Sequence, residues 1–249
     1  MSNAPRTEEV SFESAGATMR GYLALPHDAG AFPALVLVHD VRGLSDHYRD
    51  VARRFAAAGF VTLAVDFYSR EGAPALHDMA GVFAWMRALP DARVLGDVGA
   101  AVRFLAARRD VRAGAIGVTG FCMGGQYALM AACAVDGIAA CVSWYGMLRY
   151  AEKTDVKPSS PLDLAPRLRC PYIGFFGADD ALIPTADVDE LRAILERIHA
   201  THEIHVYHSA GHAFFNDVRA DAYRPAAAAD SWRRAIEFFH QHLGTGSAA

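Results

Sequence analysis

No run of about 18 apolar residues occurs in this chain of 249 residues, so no transmembrane helix is expected. The opening from Met1 to Glu9 is polar and lacks the apolar stretch of an export signal, and the expected location is the cytoplasm. Positive charge is not in excess either. The 24 Lys and Arg face 28 Asp and Glu, giving a formal net charge of -4 and a pI near 6.2. A nucleic-acid-binding surface would be basic, so neither nucleic acid nor membrane is an expected partner. Cysteine is scarce. Cys122, Cys133, Cys141 and Cys170 show no C-x-x-C spacing, which argues against a zinc site and against a dithiol redox motif. They read as free thiols in a reducing compartment, with Cys133, Cys141 and Cys170 as core filler in or beside apolar runs. Internal repeats, low-complexity segments and linkers are also missing.

What is present is an ordinary globular balance, 53% hydrophobic and 21% charged, enough apolar surface for one large core. Residues 8–25 read as two strands joined at Ala15-Gly16. Short apolar runs follow at Ala34–Val38, Phe60–Phe67, Ala115–Thr119, Ile138–Tyr145, Tyr172–Phe176 and Glu203–Tyr207. Between them lie stripes of 3.6-residue period. The first is Tyr48, Val51, Ala52 and Phe55, opened by Ser45 as a cap and closed by Gly59; another joins Val98, Ala101, Val102 and Leu105. A third joins Val188, Leu191, Leu195 and Ile198, and a last one, behind Pro225, joins Trp232, Ile236, Phe239 and Leu243. Strands alternating with such helices predict an α/β fold, a mostly parallel sheet covered on both faces, with chemistry at the carboxyl ends of the strands.

One strand runs into Gly120-Phe121-Cys122-Met123-Gly124-Gly125 and then at once into the helical Gln126–Ala134. This is the G-x-S-x-G nucleophile elbow with cysteine for serine. A sharp strand-to-helix turn strains the nucleophile's backbone, and side chains at the flanking positions would strike the neighbouring strand and helix. Cys122 would then stand at a helix N-terminus, where the dipole favours a thiolate. Chance alone gives about 0.03 such matches in a chain of this composition.

A triad on this fold runs nucleophile, acid, histidine along the chain. The run Tyr172–Phe176 ends in Gly177-Ala178-Asp179-Asp180, a carboxylate just past a strand end, and Glu203–Tyr207 leads to Gly211-His212-Ala213-Phe214. The order Cys122, Asp180, His212 fits. Of the 11 histidines, His199, His202, His240 and His242 are expected to be solvated.

Over about residues 8–243 the sequence resembles the dienelactone hydrolase family of carboxymethylenebutenolidases. The resemblance is carried by His39-Asp40-Val41-Arg42-Gly43-Leu44, Ala58-Gly59-Phe60 with Val65-Asp66-Phe67-Tyr68, the cysteine elbow, Trp144-Tyr145-Gly146, the Asp180–Pro184 turn and Gly211-His212-Ala213-Phe214. It implies one α/β-hydrolase domain over residues 1–249, the core flanked by a polar N-terminal tail and a Gly/Ser/Ala C-terminal tail. It further implies a Cys–His–Asp hydrolase of small lactones or esters that needs no metal or organic cofactor. The family pattern carries Asp180, four residues before Pro184, as the triad acid in preference to Asp179.

Two departures stand out. The family places a glutamate that helps to activate the thiol where this chain has Asp40. It also places a carboxylate-binding arginine four residues after the catalytic histidine, where this chain has Asn216. The expected substrate is therefore a neutral or differently charged ester or lactone, with Arg42 and Arg149 as the arginines able to reach the pocket from a new direction. Backbone N–H groups of Val41 and Met123 are the expected oxyanion donors. Tyr145 and Trp85 are candidates for lining the pocket, His39 for a supporting hydrogen bond, and Asp66 for a strand cap. A thioesterase or general carboxylesterase on the same fold, and a non-catalytic binding protein derived from it, are the alternatives.

Overall fold

The computed structural model describes residues 4–245 together with Ser247 and Ala248. The other tail residues lie outside the described residues. Eight strands form a mixed, mostly parallel sheet: β1 (Arg6–Ser14), β2 (Ala17–Leu25), β3 (Gly30–Val38), β4 (Val61–Asp66), β5 (Val111–Phe121), β6 (Ala140–Trp144), β7 (Tyr172–Gly177) and β8 (His202–Tyr207). Their order is β1-β2-β4-β3-β5-β6-β7-β8, and the two residues of β9 (Ser247–Ala248) pair with the start of β3. β1 and β2 are antiparallel, as are β2 and β4; every pair from β4 through β3 to β8 is parallel. The central strands β3 to β7 are almost wholly buried, as parallel strands covered on both faces must be, while β1 alternates towards solvent at the edge.

The expected helices are present: α1 (Asp46–Ala57), α3 (Asp91–Ala106), α4 (Met123–Ala134), α6 (Thr185–Arg197) and α7 (Pro225–Leu243). The stripe of α1 is buried as predicted, and Phe55 meets Trp232 of α7 at 4.4 Å between ring centroids. Ser45 does stand at the N-cap, but its side chain makes no cap bond there. His240 departs from expectation. It stacks on Phe60 at 4.6 Å instead of facing solvent.

The sequence reading missed α2 (Met79–Ala88), α5 (Pro161–Leu164) and the 3-10 turn after it (Ala165–Arg167). The signal for α2 was available. Asp78 caps it by accepting from the Gly81 N–H at 2.7 Å, and Met79, Val82, Phe83 and Met86 hold the i, i+3, i+4, i+7 spacing. None of its residues is buried, however.

After β3 the chain builds β4 on one side and then returns to place β5 on the other. That reversal opens a crevice at the carboxyl ends of β3 and β5, the place where α/β sheets bind ligands. The 39–45 loop leaves β3 there, and the Cys122 turn leaves β5 there.

Candidate active site

Sterics fix the turn that carries Cys122. A Cβ on Gly120 would lie 2.1 Å from the Gly124 carbonyl oxygen, and one on Gly124 would lie 2.0 Å from the Val38 carbonyl oxygen. No side chain fits at either position. The helix α4 therefore starts hard against β3, and Cys122 is forced to φ +56°, ψ -119°. That conformation is costly for a residue with a Cβ, and the surroundings hold it. Its N–H donates to the Trp144 carbonyl at 3.0 Å, and its carbonyl accepts from the Gln126 N–H at 3.1 Å. Cys122 is half-buried, whereas Cys133, Cys141 and Cys170 are buried, and burial pushes the Cys133 and Cys170 thiols up to about 12.

His212 comes from the loop after β8 and Asp180 from the turn after β7. His212 Nδ1 donates to Asp180 Oδ2 at 2.8 Å, and Asp180 Oδ1 accepts from the Leu182 N–H at 2.9 Å. Asp180 is buried and Asp179 exposed, so chain alternation past the strand end separates the two neighbours. With Nδ1 engaged, Nε2 is left buried and without a hydrogen-bond partner. Burial works against the charged imidazole, but the Cys122 sulfur and Asp180 outweigh it, and the His212 pKa rises to about 10.

Three phenols belong to the same region, and Tyr145 is the one that meets His212. Burial raises the pKa of Tyr48, Tyr68 and Tyr145, and the nearby Asp40 and Cys122 add to the rise in each. Both Asp40 and Cys122 thus act on the same three phenols. Tyr145 packs edge-on against His212 at 5.2 Å and itself holds φ +38°.

The 39–45 loop is held from two sides. His39 is fully buried; its Nδ1 donates to the Asp40 carbonyl at 2.6 Å, while its Nε2 accepts from the Phe67 N–H at 3.3 Å. The bond accepted at Nε2 needs a neutral ring, and burial lowers the His39 pKa accordingly. The Tyr68 hydroxyl donates to the Val41 carbonyl at 2.6 Å. In a trans peptide the N–H points opposite to the C=O, so a fixed Asp40 carbonyl aims the Val41 N–H the other way. Among the described residues, neither the Val41 nor the Met123 N–H has a hydrogen-bond partner. Asp40 Oδ1 accepts from the Arg42 N–H at 2.8 Å, closing the loop on itself.

The remaining candidates fall elsewhere or are already engaged. The Arg42 side chain is exposed and lines a surface recess with Arg20, Ser45, Arg49 and Tyr68. Arg149 pairs with Asp187 at 3.0 Å and with Glu190, which corrects its place among the arginines free to reach the pocket. Asn216 is buried, and its Oδ1 accepts from the Val218 N–H at 3.2 Å, so the side chain serves its own turn. Trp85 meets Tyr68 edge-on at 5.2 Å. Asp66 accepts from the Tyr68 N–H at 3.0 Å, as a strand cap would. Sequence reasoning missed Tyr48, Tyr68 and Arg219; the charge of Arg219 is felt at the Tyr145 hydroxyl. Tyr48 and Tyr68 stood in stretches that sequence reading did mark, as a helix stripe and a family motif, but their contacts are made across the fold.

Residues 19–243 match the model of the dienelactone hydrolase family. The chain belongs to the dienelactone hydrolase family. It is a hydrolase of that type. A Bradyrhizobium protein named as a probable 2-oxo-3-(5-oxofuran-2-ylidene)propanoate lactonase is 37% identical, over 94% of each chain. A protein of Escherichia coli K12 named as a carboxymethylenebutenolidase is 35% identical, over 96% of this chain and 88% of its own. Among solved structures, one named as a dienelactone hydrolase from Klebsiella pneumoniae superposes with a TM-score of 0.90 at 38% identity, covering 96% of this chain and 100% of that one. Among the described residues, no helix of this family member is long and apolar enough to cross a membrane.

Proposed function

We propose that this family member hydrolyses lactones or carboxylic esters through a thioester on Cys122, with His212 as acid and base and Asp180 orienting His212. The observation that carries the proposal is the Asp180–His212 bond at 2.8 Å, which leaves a buried, unpartnered Nε2 beside a cysteine held at φ +56°. The thiolate adds to the substrate carbonyl carbon, and the carbonyl electron pair moves to oxygen, where the Val41 and Met123 N–H groups receive it. When the tetrahedral centre collapses, the carbon–oxygen single bond breaks and His212 gives its Nε2 proton to the leaving oxygen. In a lactone that new hydroxyl stays attached to the acyl chain. Water then attacks the thioester while His212 takes its proton, releasing the carboxylic acid and the thiolate. Asp180 fixes the tautomer and stabilises the imidazolium.

Asp40 takes the place of the family's thiol-activating glutamate. Asn216, whose Oδ1 accepts from the Val218 N–H, stands where the family places one of its carboxylate-binding arginines. A neutral substrate fits this site better than a carboxylate-bearing one. The test is alkylation with sub-stoichiometric iodoacetamide followed by peptide mapping. Loss of ester hydrolysis in proportion to label on Cys122 is expected. Inactivation with label on Cys133, Cys141 or Cys170 alone would overturn the assignment.

A further inference from the structure

Next to the elbow lies a cavity of about 310 Å³ that the proposed acyl transfer does not use. Phe83, Met86 and Arg87 of α2 form one wall, Gln126 of α4 another, and Met147, Tyr150, Ala151, Glu152 and Lys157 the rest. Two of these walls begin at the reacting groups. Gln126 is one helical turn after Cys122 and bonds to its carbonyl. Met147 follows Tyr145 and Gly146, and Tyr145 lies against His212. The third wall also reaches the site, because Trp85 of α2 packs on Tyr68, which holds the Val41 carbonyl.

The chemistry of the lining limits what the cavity takes. Lys157 is buried, and its ammonium donates to Asp91 at 2.6 Å and to the Tyr127 hydroxyl at 2.5 Å. Asp91 also accepts from Tyr127 at 2.9 Å and from Tyr150 at 3.0 Å, so charge and hydrogen bonds balance within the cluster. Gln126 donates to the Tyr150 hydroxyl at 2.9 Å. Its Oε1 is buried and unpartnered. The Lys157 charge is balanced by Asp91, and Arg87 and Glu152, of opposite sign, are both exposed. Above all, the apolar stripe of α2 has no buried member, and Phe83 and Met86 of that stripe face the cavity. A helix normally buries such a stripe against other apolar groups.

We propose that this cavity receives an apolar portion of the substrate, so that the preferred lactones or esters carry a neutral aryl or medium alkyl group. The inference rests on the Cys122 chemistry proposed above. The volume is at the lower end of ligand pockets and holds a substituted ring or a chain of several carbons. The occupant would complete the burial of Phe83 and Met86.

The test compares p-nitrophenyl acetate with p-nitrophenyl hexanoate in the wild type, Ala151→Trp and Phe83→Ala. Ala151 is exposed, so the larger side chain is tolerated by the fold. Each buried methylene is worth about fourfold. We expect kcat/KM for the hexanoate to exceed that for the acetate by at least about tenfold. Ala151→Trp should lower that ratio at least about fivefold, and Phe83→Ala should move the optimum to longer chains. A ratio near one in the wild type, or the same ratio in all three proteins, would overturn the proposal. If no ester is hydrolysed, the Cys122 chemistry fails, and calorimetry with 4-phenylbutanamide decides the cavity separately. Binding to the wild type that is lost in Ala151→Trp supports it, and no binding to the wild type refutes it.

Discussion

The β5–α4 turn and α2 lie close together and are built on opposite terms. In the turn every position is over-determined: Gly120 and Gly124 leave no room for one further carbon, and Cys122 is strained but held at both its N–H and its carbonyl. In α2 no residue is fully buried, and two members of its apolar stripe, Phe83 and Met86, face a cavity. Reacting atoms need a geometry fixed to fractions of an ångström. A wall that meets substrates of differing shape is better left loosely packed, and weakly buried elements are the ones that open at low cost.

The largest effect expected on this contrast comes from Asp180, on the rigid side. Asp180→Asn leaves the shape of the site intact but favours the wrong His212 tautomer, and kcat should fall about 10⁴-fold, as in a serine-protease triad. The exposed neighbour gives the control, with Asp179→Asn expected to stay within a few-fold. Steady-state rates on one activated ester measure both, and equal losses would dissolve the distinction. Gly124→Ala should come next. It forces a carbon onto the Val38 carbonyl, and thermal or denaturant unfolding should show a loss beyond about 4 kcal/mol. Native-like stability would mean that the turn is softer than its geometry says.

Tyr68→Phe removes one hydrogen bond on the Val41 carbonyl, a net effect of about 0.5–1.5 kcal/mol. It should lower kcat by roughly 2- to 13-fold with KM little changed, since it loosens the loop that carries the Val41 N–H, whose position matters most when charge develops. The smallest change in stability is expected on α2. Phe83→Ala should cost less than about 1 kcal/mol, against about 3–5 kcal/mol for Phe55→Ala in the core. Similar losses in the two would show that α2 is packed as tightly as the rest.

The same contrast decides what the sequence could tell. The elbow was legible because steric exclusion writes itself as glycine at fixed spacing. The order of Cys122, Asp180 and His212 was legible because each follows a strand of clear apolar pattern. Tyr68 was not, since its bond to Val41 spans 27 residues and depends on β3 and β4 lying side by side. His39 was only half legible. Its place at the end of β3 suggested a supporting role, but the Phe67 N–H that fixes its tautomer comes from β4's end. The pairing of Arg149 with Asp187 and Glu190 was not legible, because sequence position does not reveal that a side chain already has partners. The stripe of α2 was readable and was passed over; that it has no buried member was not readable, because exposure is a property of the assembled fold.

The central claim, a charged pair of His212 and Cys122 oriented by Asp180, has a pH signature of definite sign. A histidine whose pKa is raised on folding contributes stability that is complete below its ordinary value of 6.5 and is lost as pH rises through the folded value, here about 10. Activity that needs the Nε2 proton should decline over the same alkaline range. The most direct test is an NMR titration of the His212 ring in the wild type and in Cys122→Ala. The account predicts a wild-type pKa near 10 that drops markedly when the sulfur, the strongest raising influence, is removed. A wild-type value near 6.5 that is unchanged in Cys122→Ala would contradict it.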